Sequence, residues 1–184
     1  MILTPDDVKD RKKFADDHKD KPASWWQKIV QIHLDNHMFK CATTVGGRKL
    51  LAKRKVRGVY RKRGKSLRDA HIEPHPKMKL STGAKGILKA GGIGGGKVLV
   101  WHTVDGTWGG DGGAHLYSNV LAPALKAHYP GKRSLSLLED NDPSGNTSKK
   151  GVAAKAASKL HVFHIPKRSP DLNVMDYAVW AEVE

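Results

Sequence analysis

Three aspartates, Asp35, Asp140 and Asp176, stand where a folded sheet can bring carboxylates together. Asp35 closes the apolar, β-branched stretch Ile29-Val30-Gln31-Ile32-His33-Leu34, and Asp140 follows Leu135-Ser136-Leu137-Leu138-Glu139. Both read as residues near the carboxyl ends of strands, and adjacent parallel strands set such residues side by side. Asp176 falls in the first turn of a helix that Asn173 can cap. Hard divalent cations such as Mg²⁺ take carboxylate and water oxygens. Two of them held ~3.5–4 Å apart can activate an attacking oxygen and stabilise a leaving one in phosphoryl transfer. Each aspartate also has a plain structural use. A strand-end Asp caps turns, and Asp176 at the third helical position suits the helix dipole. Spacing alone does not choose between these uses.

Other chemistry-bearing residues read as structural. Gly91 to Gly96-Lys97 fits G-x-x-x-x-G-K, but Val98 replaces the Ser/Thr that holds magnesium, and the tract enters a strand instead of leaving one for a helix. It reads as a flexible connector. His161 and His164 lie three positions apart in an expected strand, so they point to opposite faces and do not converge on a metal. Cys41 is the single cysteine, which excludes an intramolecular disulfide and suits a small buried residue. Asp105 and Asp111 are rivals to Asp35, but each precedes a glycine in an expected turn.

The elements that must position the aspartates can be read from pattern. Thr4-Pro5-Asp6-Asp7 is a helix start, with Thr4 as N-cap, Pro5 at the first position and an acid three residues past the cap. That helix runs to about His18, with Val8 and Phe14 facing inward. Trp25 and Trp26 lead into a strand over Ile29–Asp35. The basic segment adds one or two strands, and Ser81 to Gly96 reads as loop. Lys97–Val104 is a second strand, closed by Asp105-Gly106, and glycines at 106, 109, 110, 112 and 113 continue the loop. Leu116–His128 has helical spacing and ends at Pro130-Gly131. Then come a strand over Leu135–Asp140, a helix over Thr147–Leu160 weakened by Gly151, a strand over His161–Pro166, and a last helix carrying Asp176, Tyr177 and Trp180. Strands alternating with helices predict an α/β layer fold with a central mixed sheet. No internal repeat is present.

The chain has 184 residues with 33 Lys+Arg against 18 Asp+Glu, a formal charge of +15. This length suits one domain, 39% hydrophobic residues suffice for a core, and no apolar run approaches the ~18–20 residues that span a bilayer. The N-terminus lacks the pattern of a secretory signal. One third of the basic residues fall between Arg48 and Arg68: Arg48, Lys49, Lys53, Arg54, Lys55, Arg57, Arg61, Lys62, Arg63, Lys65 and Arg68, with no acid among them. Interleaved Val56, Val59 and Tyr60 predict a strand or hairpin, a basic insertion over about 46–68, that lays cations along a phosphate backbone. A solvated basic loop or a localisation signal is the alternative. The charge favours a polyanionic partner, nucleic acid before an acidic membrane surface.

Two blocks carry a family resemblance. Leu138-Glu139-Asp140-Asn141-Asp142-Pro143 followed by Thr147-Ser148 resembles the DNDPxHTS block of mariner-type DDE/D transposases. Ser169-Pro170-Asp171-Leu172-Asn173-Val174-Met175-Asp176-Tyr177-Ala178-Val179-Trp180 resembles their SPDLNPIE-xx-W block. Upstream the likeness is looser. Ile32-His33-Leu34-Asp35 stands where the family has its first catalytic Asp, Lys97 to Gly106 is similar to its VMVWG…DG strand, and Leu116-Tyr117 to the start of its next helix.

The resemblance implies a single RNase H-like catalytic domain over residues 1–184. It also implies two Mg²⁺ or Mn²⁺ ions on Asp35, Asp140 and Asp176, with Asp35 between both ions. Asn141 and Asn173 would orient the ligands from behind. The implied chemistry is phosphodiester hydrolysis at transposon ends and attack of the freed 3′-hydroxyl on target DNA, with double-stranded DNA as partner, a homodimer at full length, and no membrane. The expected location is the nucleus in a eukaryote and the cytoplasm or nucleoid otherwise. The family's N-terminal helix-turn-helix pair is not in this sequence, so a fragment or truncated copy is expected. Departures are visible. Asn36 follows Asp35 where the family often has a second acid. The third acid is Asp within a Ser-Pro-Asp-Leu-Asn context closer to the Glu-using sister branch. Thirty-five residues, Asn141 to Met175, separate the last two acids, one more than usual, and Ser144-Gly145-Asn146 replaces the family's Lys-His. An inactive transposase-derived DNA-binding protein and a basic RNA-binding protein are the alternatives.

Overall fold

Helix α1, Pro5–His18, begins as its sequence demands: Thr4 Oγ1 accepts the Asp7 N–H while Asp7 accepts the Thr4 N–H at 2.8 Å, a closed capping box. The computed structural model describes residues 3–42 and 84–183. The basic run Arg48–Arg68, the hairpin expected over 46–68 and the Cys41 side chain lie outside that description. Helix α2 spans Ala23–Ile29, so Trp25, Trp26 and Ile29 belong to a helix, not to the approach and start of a strand. Strand β1 is Ile32–Ala42, β2 is Ala84–Gly94 and β3 is Lys97–Thr103. A long helix α3 follows, made of an α segment Gly110–His115, a π segment Leu116–Leu121 and an α segment Ala122–His128. Strand β4 is Leu135–Leu138, α4 is Lys149–Ala157 and β5 is Leu160–Val162. After a 3₁₀ turn at Pro170–Leu172, helix α5 combines a π segment Met175–Val179 with Trp180–Val183.

The five strands form one mixed sheet in the order β3-β2-β1-β4-β5. β1 pairs antiparallel with β2 and parallel with β4, and β4 is parallel to β5. Strand alternation divides the core. Leu137 joins Ile32, Leu34, Val100 and the α3 residues Leu116, Tyr117, Leu121 and Leu125 on one face. Its neighbour Leu138 turns to the other face, with Val30, Ile165, Phe14 and Phe163 under α1. Phe14 faces inward as expected, whereas Val8 is about half exposed.

The main departure from the sequence reading lies in the glycine tract. Ser81–Gly96 is not a loop: Ala84–Gly94 is a full strand, and Gly95 and Gly96 make the two-residue turn into β3 with φ of +56° and +73°. A tight hairpin of this kind needs positive φ at both central positions, which glycine supplies without strain. The glycines around 110–113 likewise start α3, because packing of this turn on the loop after β4 overrides their poor helix propensity. Asp35 consequently lies inside an eleven-residue strand, not at its end. It is β4 that ends there. The β1–β4 register runs Ile32–Leu137 and His33–Leu138, so two residues further on Asp35 comes level with Asp140 as the latter leaves the sheet.

Candidate active site

Asp35 projects from β1 toward α5, where the Trp180 indole Nε1 donates to its Oδ2 at 2.6 Å. That reach depends on the strand alongside. Gly91 is the β2 partner of Asp35, and a Cβ there would lie 2.5 Å from Trp180 Cη2, so only a glycine lets the indole cross β2. His37, two residues along the same face of β1, stacks on Trp180 at 5.0 Å between ring centroids.

Asp176 lies one position into the π segment of α5, four residues before Trp180 and therefore on the same helical face. Its N–H donates to the Asn173 carbonyl at 3.0 Å, and its carboxyl interacts electrostatically with that of Asp35. Two such carboxyls titrate as a pair. The Asp35 carboxyl is pushed up to about 7, first by burial and next by the Asp176 charge, with a smaller push from Asp140; the Trp180 and Asn36 N–H groups oppose the rise. Asp176 is also raised, by desolvation and then by the charge of Asp140, while contact with Asp35 and Asn173 and the charge of His37 act the other way.

Asp140 sits just past β4 and is held from beneath. Asn146 Nδ2 donates to Asp140 Oδ1 at 2.6 Å and to its carbonyl at 3.2 Å. Desolvation raises the Asp140 carboxyl, helped by the Asp142 charge and opposed by the Asp142 N–H and Asn146. Behind Asn146 is a buried ionic pair: Lys155 Nζ donates to Glu139 Oε1 and to the Asn146 carbonyl at 2.8 Å. Tyr117 Oη lies 2.6 Å from Glu139 Oε2 and 3.0 Å from Asn146 Oδ1. Burial and the Glu139 charge hold the Tyr117 phenol well above its ordinary value, so it stays a donor. Burial also raises Glu139, against the pull of Lys155. The loop beyond Asp140 is pinned by Asp142, whose Oδ2 accepts the Trp108 indole N–H at 2.7 Å and the Gly145 N–H at 3.1 Å.

Two clefts of about 470 and 420 Å³ meet at Asp140. The first is walled by Asp35, Met38, Thr107, Trp108 and Asp142, the second by Pro143, Ile165, Lys167, Arg168 and Asp176. The structure thus sets Asp35 and Asp140 on one cleft and Asp140 and Asp176 on the other, within electrostatic reach of one another. Asp105 and Asp111 are elsewhere: Asp105 is exposed beyond β3, and Asp111 pairs with Lys150 at 2.6 Å. Of the two asparagines, Asn173 lies beside Asp176, its side chain wholly buried and its Oδ1 3.3 Å from the Met175 N–H that it accepts. Asn141 does not touch a carboxylate; it donates to the Ile165 carbonyl at 3.1 Å and braces the loop. Asn146, Trp180 and the Tyr117–Glu139–Lys155 group escape a reading for acids. The signals for Trp180 are its spacing of four from Asp176 and its place at the end of the second block, while Asn146 stands only in the tripeptide that replaces Lys-His.

The donor set is the kind that a hard divalent cation takes: three carboxylates from three separate elements, each raised by desolvation, Asp35 also by the charges of Asp176 and Asp140, and Asp176 by that of Asp140. Among the described residues no three His, Cys, Asp or Glu side chains close into a ready-made coordination shell. Asp35 is instead bonded to the Trp180 indole, and Asp140 to the Asn146 amide.

No protein-family model and no curated protein matches the chain. Solved structures do. A pre-cleavage Mos1 transpososome superposes with a TM-score of 0.67 at 16% identity over 100% of this chain and 50% of that one. The Mos1 mariner paired end complex with Mn gives 0.64 at 16% identity over 100% and 49%. The Mos1 transposase catalytic domain with Raltegravir and Mg gives 0.63 at 16% over 100% and 73%. The chain spans about half the length of the transposases in the first two. The likeness shows the fold, the RNase H-like fold of the mariner transposase catalytic domain.

Proposed function

We propose that this chain is a mariner-type DDE/D transposase catalytic domain that hydrolyses phosphodiester bonds and transfers DNA strands with two divalent ions, Mg²⁺ or Mn²⁺. The observation that carries this reading is that Asp35 of β1, Asp140 just past β4 and Asp176 of α5 line two clefts that meet at Asp140. The two ions would supply activation of the attacking oxygen and neutralisation of charge on the leaving one. Asp35, Asp140 and Asp176 would hold these ions. Trp180 orients the Asp35 carboxyl through the 2.6 Å bond, and Asn146 does the same for Asp140. Lys167 and Arg168, on the wall of the second cleft, are placed to meet a phosphate backbone. The run Arg48–Arg68 is assigned to the same partner, double-stranded DNA at transposon ends and target sites, and pairing of two full-length copies belongs to the same proposal.

A second reading has its own support. Carboxylates that are tied to Asn146 and Trp180, with no closed coordination shell among the described residues, suit a DNA-binding descendant without a working centre. One experiment separates them. The chain is incubated with a pre-nicked transposon-end duplex and a plasmid target in Mn²⁺, and Asp140→Asn and Asp176→Asn are compared with the wild type. Strand transfer that falls more than ~100-fold in both variants, with duplex binding retained, supports the enzyme. Duplex binding without metal-dependent chemistry in the wild type supports the second reading.

A further inference from the structure

We propose that Asn146 is a positioning residue for Asp140, and that the buried Tyr117–Glu139–Lys155 group exists to fix Asn146. The proposal rests on the reading of Asp140 as a metal ligand. Asn146 is 5% exposed, so its amide does not reach DNA; its contacts are inward. Its Nδ2 holds one Asp140 oxygen, Oδ1, at 2.6 Å and the Asp140 carbonyl at 3.2 Å, gripping that residue at two points. Oδ2 is left to the clefts, so the carboxylate is turned in one direction before any cation arrives. The amide itself cannot turn over. Its Oδ1 lies 3.0 Å from the Tyr117 hydroxyl, and its own backbone carbonyl accepts the Lys155 ammonium at 2.8 Å. Lys155 is locked by Glu139 and sits over the Tyr117 ring at 4.8 Å.

The arrangement runs in a line from core to cleft. Glu139 and Asp140 are consecutive, so the strand end that fixes the buried pair also carries the ligand. Fully bonded polar groups in a low-dielectric interior are rigid, and groups that orient a metal ligand from behind typically change affinity by ~10–100-fold when removed. Asn146 also falls in the tripeptide Ser144-Gly145-Asn146, where the chain holds its extra residue.

The test is a double-mutant cycle on Mn²⁺ binding to the 184-residue chain, read by electron paramagnetic resonance and by calorimetry without DNA. Asn146→Ala is expected to weaken Mn²⁺ binding ~10–100-fold. Asp140→Ala weakens it at least as much, and the double variant is expected to be no weaker than Asp140→Ala alone, because Asn146 acts only through Asp140. Additive losses overturn the proposal, since they mean that Asn146 acts on the fold and not on the ligand. Unchanged binding in Asp140→Ala instead refutes the reading of Asp140 as a ligand. Tyr117→Phe keeps the ring in the core while removing the hydroxyl, so it serves where Asn146→Ala does not fold. A loss of ~2–10-fold supports the proposal, and none overturns the role given to the buried group.

Discussion

The two sides of the candidate site are built differently. Asp140 rests on a buried network, with Asn146, Glu139 and Lys155 all within 5% of full burial and every bond made inside the molecule. Asp176 rests on buried Asn173, but the segment leading to it is held by a surface latch. Upstream of it, the Ser169-Pro170-Asp171 segment is held by Arg11 of α1, which donates to Asp171 Oδ1 and Oδ2 at 2.9 and 2.7 Å and to Ser169 Oγ at 2.7 Å. Arg168 adds an ion pair to Asp7 at 2.8 Å. Buried pairs are costly to break because the survivor is left charged in low dielectric, whereas exposed pairs are screened and each contributes little. On the proposed reading Asp140 would be the fixed ligand and Asp176 the adjustable one, and closure of the site on a cation would fall chiefly to the α5 side.

The largest expected effect follows from breaking the fixed side. Lys155→Met leaves Glu139 buried without its cation and is expected to cost about 3–5 kcal/mol in urea unfolding at neutral pH. The loss should shrink in acid, where Glu139 takes up a proton. A loss below ~1 kcal/mol at pH 7 erases the distinction between the two sides, since that is the scale of an exposed pair.

Next comes the proton on Asp35. Asp35 is raised from 3.8 to about 7, so between those values the native state holds a proton that the unfolded chain has lost. Stability must then fall as pH rises through that window, by up to ~4 kcal/mol at 1.36 kcal/mol per pH unit, a ceiling because Asp35 and Asp176 titrate as a pair. Asp35→Asn is expected to raise the thermal midpoint at pH 8 and flatten the slope between pH 4 and 7. Mn²⁺ should restore wild-type stability at pH 8, by ~2.7 kcal/mol at a hundredfold excess over its dissociation constant. A wild-type chain whose stability rises steadily from pH 5 to 8 without metal rules out the buried proton.

Gly91→Ala tests how Asp35 is joined to the α5 side. The new methyl would meet Trp180 at 2.5 Å, so either β2 or the indole must shift, at a cost of about 1–3 kcal/mol. Trp180 is then expected to release Asp35, whose carboxyl rises further without the indole N–H, so the loss of stability described above extends to higher pH, visible as an altered pH dependence of indole fluorescence. Unchanged fluorescence and stability would show that Trp180 has another way past β2.

What the sequence made legible follows from the range of each signal. The three aspartates, the capping box at Thr4 and the alternating Leu137 and Leu138 are local patterns, and in the structure the three aspartates line two adjoining clefts. Strand β2 was illegible because Gly91, Gly92 and Gly94 are chosen by what crosses them: Trp180 over Gly91, and Ile32 and Leu34 beside Gly92. A composition reading sees only the glycines. Missing β2 shortened β1 and put Asp35 at a strand end, although the neighbour β4 is what ends there. Asn146, Tyr117 and Lys155 converge from a loop and two helices, and their residue types are ordinary at each place. Nothing in the local pattern marks them, since the chemistry is set by burial and burial is a property of the whole fold.

The smallest effect belongs to the latch, and it sharpens the comparison most. Arg11→Ala removes the bidentate pair to Asp171, whose side chain is 58% exposed, so global stability should fall by only ~0.2–1 kcal/mol. Asp171 is held below its ordinary value by Arg11, which makes this contribution present above the unfolded carboxylate pKa and lost as pH falls. High salt should shrink it further. Although small in stability, the change frees the segment that leads to Asp176, so hydrogen exchange of the Asp176 and Tyr177 amides, both bonded to the Asn173 carbonyl, is expected to quicken at least several-fold. The amides of β4 should keep their protection, because Asn146 and the buried pair do not touch Arg11. Equal quickening on both sides would mean that the latch holds the whole site and that Asp176 is no more adjustable than Asp140.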